Sequence, residues 1–121
     1  MKKEYNKLVR DKLPVILNRK GIKHECHVAQ SRDEAVRMIL AKVHEEATEL
    51  EQAITNPAGW TDNIVAEEFA DLYEVLDVLT VITGIDADRI GEVAAKKKET
   101  NGAFEKLLIL DWTEENTHST K

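Results

Sequence analysis

The fold is decided by a stretch that reads Lys42-Val43-His44-Glu45-Glu46-Ala47-Thr48-Glu49-Leu50. It lies in a longer run whose apolar residues recur every three or four positions, as on one face of a helix. These apolar residues are Val36, Ile39, Leu40, Val43, Ala47, Leu50 and Ile54. The preceding Ser31-Arg32-Asp33-Glu34 is a capping box, in which the serine accepts from a helix N–H and the glutamate reaches back. The pattern predicts a long helix that starts after Ser31 and ends at Asn56-Pro57-Ala58-Gly59.

A second long helix is predicted over residues 63–83, where Gly84 would end it. Its apolar residues cover much of its circumference: Ile64, Val65, Phe69, Leu72, Tyr73, Leu76, Leu79 and Ile82, with Val75 and Val78 extending the surface. A helix this apolar contacts partners on more than one side. We therefore expect it to be central, and we expect the chain to form a homodimer or homotetramer.

The remaining segments predict two more helices and two extended pieces. The helices are expected over 12–20, with Pro14 in the first turn, and over 87–100, closed by Asn101-Gly102. β-forming residues predict short strands over 22–30 and 104–110, which could pair with each other. Residues 113–121 form a polar tail. The fold predicted is an all-α helical bundle with short extended segments near both termini, in one domain over residues 1–121.

The composition of the chain disfavours nucleic-acid binding and membrane insertion. The 121 residues carry a formal net charge of -6, which disfavours nucleic-acid binding because phosphate neutralisation needs clustered Lys and Arg. No run approaches the ~18 apolar residues needed to cross a bilayer, so no membrane is expected. Cys26 is the single cysteine, and no apolar run of a signal peptide follows the N-terminus. A reducing, cytoplasmic location is therefore predicted.

The acids occupy a defined part of the first long helix. With Val36 at zero and about 100° per residue, Glu46 falls at about 280° and Glu49 at about 220°. Lys42 lies between them at about 240°, whereas Glu45 lies further out at about 180°. Glu46 and Glu49 therefore share one flank of the apolar stripe with Lys42, and Glu45 stands apart.

On the second long helix, Glu68 and Asp71 fall at about 260° and about 200° from Phe69, beside apolar residues. Carboxylates in such a place need a compensating charge. Packing the two apolar stripes together would unite four acids, Glu46, Glu49, Glu68 and Asp71. An all-oxygen set of this kind suits Mg²⁺, or Mn²⁺, better than zinc or copper. Basic residues would complete a phosphate site: Lys42, Lys7, Arg10 and Lys12, with Lys96, Lys97 and Lys98 near the end.

Simpler interpretations stand beside this one. A lone Glu-Glu-x-x-Glu run is usually a solvated helix face, since glutamate is a good helix former. On that interpretation the protein is a non-catalytic helical module that binds a protein partner. A di-iron carboxylate bundle needs Glu-x-x-His pairs, which neither acid motif contains. The set His24, Cys26 and His27 is incomplete for zinc.

Three motifs together resemble a known superfamily. Glu45-Glu46-x-x-Glu49 followed by Glu68-x-x-Asp71 is similar to the signature of the all-α nucleoside triphosphate pyrophosphohydrolases, which include the MazG proteins and phosphoribosyl-ATP pyrophosphohydrolase. The stretches Tyr5 to Pro14 and Lys97 to Lys106, followed by Leu110-Asp111-Trp112, resemble a small MazG-like branch. The resemblance covers nearly the whole chain.

The resemblance implies a function and roles for particular residues. It implies cleavage of a nucleoside triphosphate between the α and β phosphorus atoms, with Glu46, Glu49, Glu68 and Asp71 as Mg²⁺ ligands. Glu45 would orient or deprotonate the attacking water, or support a metal ligand. Lys42, Lys97 and Asn101 would lie near the phosphates or sugar. The chain departs from the family pattern at Asn101, where Arg is usual, and at Ala103, where a second Gly is usual.

Overall fold

The computed structural model of the protein describes residues 1–115 and forms two compact units, Met1–Asp86 and Ala87–Lys121. Residues 113–115 of the predicted polar tail belong to no helix, and the rest of that tail lies outside the described residues. The single domain over residues 1–121 stays a prediction.

Helices account for all the regular secondary structure of residues 1–115, so the predicted all-α class is confirmed. The first unit contains α1 (Leu13–Arg19), α2 (Arg32–Ile54) and α3 (Asp62–Thr83), and the second contains α4 (Ala87–Asn101). Each begins and ends close to the predicted residues, because apolar periodicity and end signals agree at each one. Gly84, for example, ends α3 in the left-handed conformation at φ 75°, which glycine adopts without strain.

The two predicted strands are wrong. Residues 22–30 and 104–110 contain no strand, so the expected pairing between them is also absent from the described part of the chain. In the second segment Leu107 has φ 52°, and its N–H donates to the carbonyl of Phe104 at 3.1 Å. That turn interrupts the extended backbone. β-forming residues make a strand only where a neighbour takes up the backbone hydrogen bonds, and neither segment has one.

The capping box starts α2 much as predicted. The Ser31 hydroxyl accepts from the N–H of Glu34 at 3.0 Å. The Glu34 carboxylate, however, accepts from the N–H of Gln30 at 2.7 Å, one residue earlier than expected, and contacts the His27 ring at 2.9 Å. The hydrogen bond from the Gln30 N–H is the main cause that lowers the pKa of Glu34 below its usual range, and the contact with His27 lowers it further. The cap therefore also fastens the irregular segment before α2 to the first turn of the helix.

Helices α2 and α3 pack against each other and position the acids. Within residues 1–115 only Ile39 and Glu46 are buried, with 2% and 4% of their surfaces exposed. Large apolar side chains of α3 remain open to solvent, among them Tyr73 at 65% and Val81 at 76%. The apolar surface of α3 therefore extends beyond its contact with α2.

The second unit consists of α4 and the segment that follows it. Gly102 comes directly after the helix with φ 85°. The large apolar side chains beyond it are all exposed, and they are Phe104, Leu107, Leu108, Ile109, Leu110 and Trp112. Among the helices of residues 1–115, none has the length and apolar content to span a bilayer.

Candidate active site

The α2–α3 pair brings the predicted carboxylates together in two overlapping groups. Glu46, Glu68 and Asp71 each offer one oxygen within 4.8 Å of the others, and so do Glu45, Glu46 and Glu49. Glu46 belongs to both groups and therefore joins the acids of α2 to those of α3. The helical positions of these residues explain this arrangement, because the acids flank the stripes through which the two helices pack.

Glu46 and Glu68 each carry a carboxylate oxygen that is buried without a hydrogen-bond partner among the described residues, namely their Oε2 atoms. A buried carboxylate oxygen without a partner carries an uncompensated desolvation cost. Since the neighbouring groups are also acids, a cation is the species that would relieve it. The residues present therefore fit a hard divalent ion held by oxygen ligands.

The negative charge of the cluster is visible in its pKa values. Burial raises the pKa of Glu49, and the carboxylate of Glu46 raises it further. Burial also raises the pKa of Glu68, followed by the negative charges of Asp71 and Glu46. Both glutamates therefore hold protons more tightly than a free glutamate does, until a cation offsets the repulsion.

Two lysines border the cluster on the side of Glu45. Lys42 Nζ lies 3.1 Å from Glu45 Oε1 and 3.2 Å from Glu46 Oε1, and Lys7 Nζ lies 3.4 Å from Glu45 Oε1. Burial opposes the charged form of Lys42, yet these glutamates raise its pKa. Burial also acts against the charged form of Glu45, but the lysines outweigh it and lower the pKa of Glu45. Lys42 and Glu45 are therefore both charged at neutral pH.

Arg10, in the segment before α1, supplies a third cation, which pairs with acids of α3. Its Nη2 lies 2.7 Å from Asp71 Oδ1 and its Nη1 lies 2.8 Å from Glu74 Oε1. The hydrogen bond to Glu74 contributes most to raising the pKa of Arg10, and the hydrogen bond to Asp71 raises it further. Glu74 was not singled out from the sequence. The signal available was its position three residues after Asp71, which places both side chains on one face of α3.

Three of the predicted substrate-binding residues contact the acids of the first unit. Lys7, Arg10 and Lys42 contact them directly. Lys12 lies at the N-terminal end of α1 and forms no ion pair with the described residues. Lys97 and Asn101 lie on α4 in the second unit. The roles of Lys12, Lys97 and Asn101 stay predictions.

Comparison with known proteins gives one family. The model of the phosphoribosyl-ATP pyrophosphohydrolase family matches residues 17–98, more than half of the chain. The matched region contains α2 and α3 with all of the clustered acids, and it excludes the segment that carries Lys7 and Arg10. No curated protein and no solved structure matches the chain.

Proposed function

The chain belongs to the phosphoribosyl-ATP pyrophosphohydrolase family, and on that premise we propose that it is a Mg²⁺-dependent nucleoside triphosphate pyrophosphohydrolase. Family membership implies a hydrolase that acts on a phosphoric anhydride bond of a nucleotide-like substrate. The finer proposal is that water attacks the triphosphate and the anhydride bond between the α and β phosphorus atoms breaks. The products are a nucleoside monophosphate and pyrophosphate.

The observation that carries the proposal is the buried carboxylate of Glu46, which joins the two acid groups and whose Oε2 has no hydrogen-bond partner within residues 1–115. A solvated helix face, as the protein-interaction alternative requires, would leave its acids exposed and hydrated. Glu46, Glu49, Glu68 and Asp71 would hold the metal. When bound, Mg²⁺, or Mn²⁺ in its place, would neutralise phosphate charge and lower the pKa of an attacking water.

The protein groups have separable tasks in this reaction. Glu45 stays anionic because Lys42 and Lys7 lower its pKa. A carboxylate with a lowered pKa is a weak base, so Glu45 is better suited to orient the water as a hydrogen-bond acceptor than to deprotonate it. Lys42 and Lys7 bring positive charge to the edge of the acid cluster, where a triphosphate would otherwise be repelled. Rigid placement matters more than covalent participation, since phosphoryl transfer depends on alignment and charge neutralisation.

Other aspects of the proposal rest on the sequence alone. The net charge of -6 supports a small nucleotide as the ligand rather than a nucleic acid. Neither a nucleic-acid partner nor a membrane partner is proposed. The cytoplasmic location, suggested by the single cysteine, stays a prediction.

The test is an assay for released pyrophosphate over a panel of nucleoside triphosphates, deoxynucleoside triphosphates and phosphoribosyl-ATP, with Mg²⁺. We expect Glu49→Gln and Asp71→Asn to lower turnover by about 10²–10³-fold, the scale of losing one group that stabilises developing charge. Both variants should also lose part of the rise in melting temperature that Mg²⁺ gives the wild type.

Glu51→Gln is the matched control, because Glu51 lies on α2 and forms no ion pair with the described residues. It should keep both the turnover and the response to Mg²⁺. Full activity in Glu49→Gln and Asp71→Asn would refute the site assignment. Absence of both Mg²⁺ binding and turnover in the wild type would favour the protein-interaction module.

A further inference from the structure

The segment before α1, residues 1–12, brings two cations to the acid cluster from outside the helices that carry the acids. Lys7 contacts Glu45 on α2, and Arg10 contacts Asp71 and Glu74 on α3. The segment contains no helix or strand. It also lies outside the region that the family match covers, so the match says nothing about its role.

Arg10 interacts with an acid that belongs to the converging group. Asp71 offers an oxygen that lies within 4.8 Å of oxygens from Glu46 and Glu68, and the same residue accepts from Arg10 Nη2 at 2.7 Å. The other terminal nitrogen of Arg10 reaches Glu74 one turn further along α3. Arg10 therefore neutralises part of the negative charge that a divalent ion at these acids would neutralise.

This ion pair is of a kind that a divalent ion can displace. The Arg10 side chain is 64% exposed and that of Asp71 is 36% exposed, and ion pairs in such surroundings contribute little stability. A guanidinium cannot lose its proton at any ordinary pH, so Arg10 remains a cation after it leaves Asp71. Its planar fork of N–H donors then matches the oxygens of a phosphate.

We propose that Arg10 is an exchangeable counter-ion of the acid cluster. It holds Asp71 in the metal-free protein, leaves Asp71 when a divalent ion binds, and then pairs with the phosphate chain of the substrate. This inference rests on the proposed function, because it takes Asp71 to be a ligand of the ion. The irregular backbone of residues 1–12 allows the movement, since no helix or strand has to break.

The first test measures Mg²⁺ affinity by calorimetry without substrate, in the wild type, Arg10→Gln and Arg19→Gln. Arg19 lies in the last turn of α1 and has no ion pair with the described residues, so it controls for the loss of one positive charge. We expect Arg10→Gln to bind Mg²⁺ roughly two- to fivefold more tightly than Arg19→Gln, because the ion no longer has to displace an exposed ion pair. Pyrophosphate release by Arg10→Gln should nevertheless fall.

The second test follows Arg10 directly, by NMR of protein labelled with ¹⁵N-arginine. The Nε–H signal of Arg10 is identified by its absence in Arg10→Gln. On saturation with Mg²⁺ the chemical shift of this signal should move towards the value of a solvent-exposed arginine. Equal Mg²⁺ affinity in Arg10→Gln and Arg19→Gln, or an unmoved Arg10 signal in a protein that binds Mg²⁺ and releases pyrophosphate, would overturn this inference alone. Absence of Mg²⁺ binding would overturn the inference and the proposed function together.

Discussion

Glu68 shows how the acid cluster affects stability when no metal is bound. Burial, and then the charges of Asp71, Glu46 and Glu67, raise its pKa above the ordinary value of 4.5. The folded state therefore binds the proton more tightly than the unfolded state does. By linkage, the contribution of Glu68 to stability falls as pH rises from 4.5 through the raised pKa. Glu68→Gln removes this penalty. In EDTA, its urea midpoint relative to wild type should increase between pH 5 and pH 7.

Glu51→Gln again serves as the control, because it removes one carboxylate of α2 that forms no ion pair with the described residues. With saturating Mg²⁺ the order should reverse, because metal ligands bind in their deprotonated form and the wild type then gains stability as pH rises. A parallel pH dependence of Glu68→Gln and wild type in EDTA would show that Glu68 titrates normally.

For individual residues, the sequence predicted the positions of the acids on the helices better than it predicted which cations pair with them. Fixed rotation per residue placed Glu46, Glu68 and Asp71 where the helices meet. The same rotation set Glu45 apart, yet one of its oxygens lies within 4.8 Å of Glu46 and Glu49, since a long side chain reaches beyond the direction of its Cα. The pairing of Arg10 with Asp71 was not predictable, because no periodicity determines the path of an irregular segment.

At the scale of elements, the beginning of α2 depends on the hydroxyl of Ser31. It accepts from the N–H of Glu34, one of the N–H groups that a helix leaves without a partner at its first turn. Ser31→Ala should destabilise the protein by about 1 kcal/mol, measured from urea unfolding curves. Ser31→Thr keeps a hydroxyl at this position and should lose less. Equal losses in the two variants would mean that the hydroxyl contributes nothing.

The contrast between helices and strands follows from where each finds its hydrogen bonds. A helix closes its bonds within itself, so the periodic residues, the cap at Ser31 and the glycine at Gly84 contained most of the necessary information. A strand depends on a partner elsewhere in the chain. The runs over 22–30 and 104–110 had suitable residues, but no partner was specified, and the turn at Leu107 could not be anticipated from a leucine.

At the scale of the whole molecule, the exposed apolar surface of α3 argues for self-association. Phe69, Tyr73, Leu76, Val78 and Val81 are each more than 40% exposed. Large apolar side chains exposed in this number on one helix typically mark an interaction site. The same surface led the sequence to predict a homodimer or homotetramer, and that oligomeric state stays a proposal.

Val81 offers the sharpest test, because at 76% exposure its side chain contributes little to the contact between α2 and α3. Val81→Glu would bury an unpaired charge in an interface that uses this surface, at a cost of several kcal/mol, and should dissociate the oligomer without unfolding the chain. In sedimentation velocity we expect the wild type to run as a dimer or tetramer and Val81→Glu to run near the chain mass of 13.7 kDa. Asn63→Glu adds the same charge in the first turn of α3 and should sediment like the wild type. A wild type that sediments at 13.7 kDa, or a Val81→Glu variant that stays associated, would show that this surface of α3 does not join two copies.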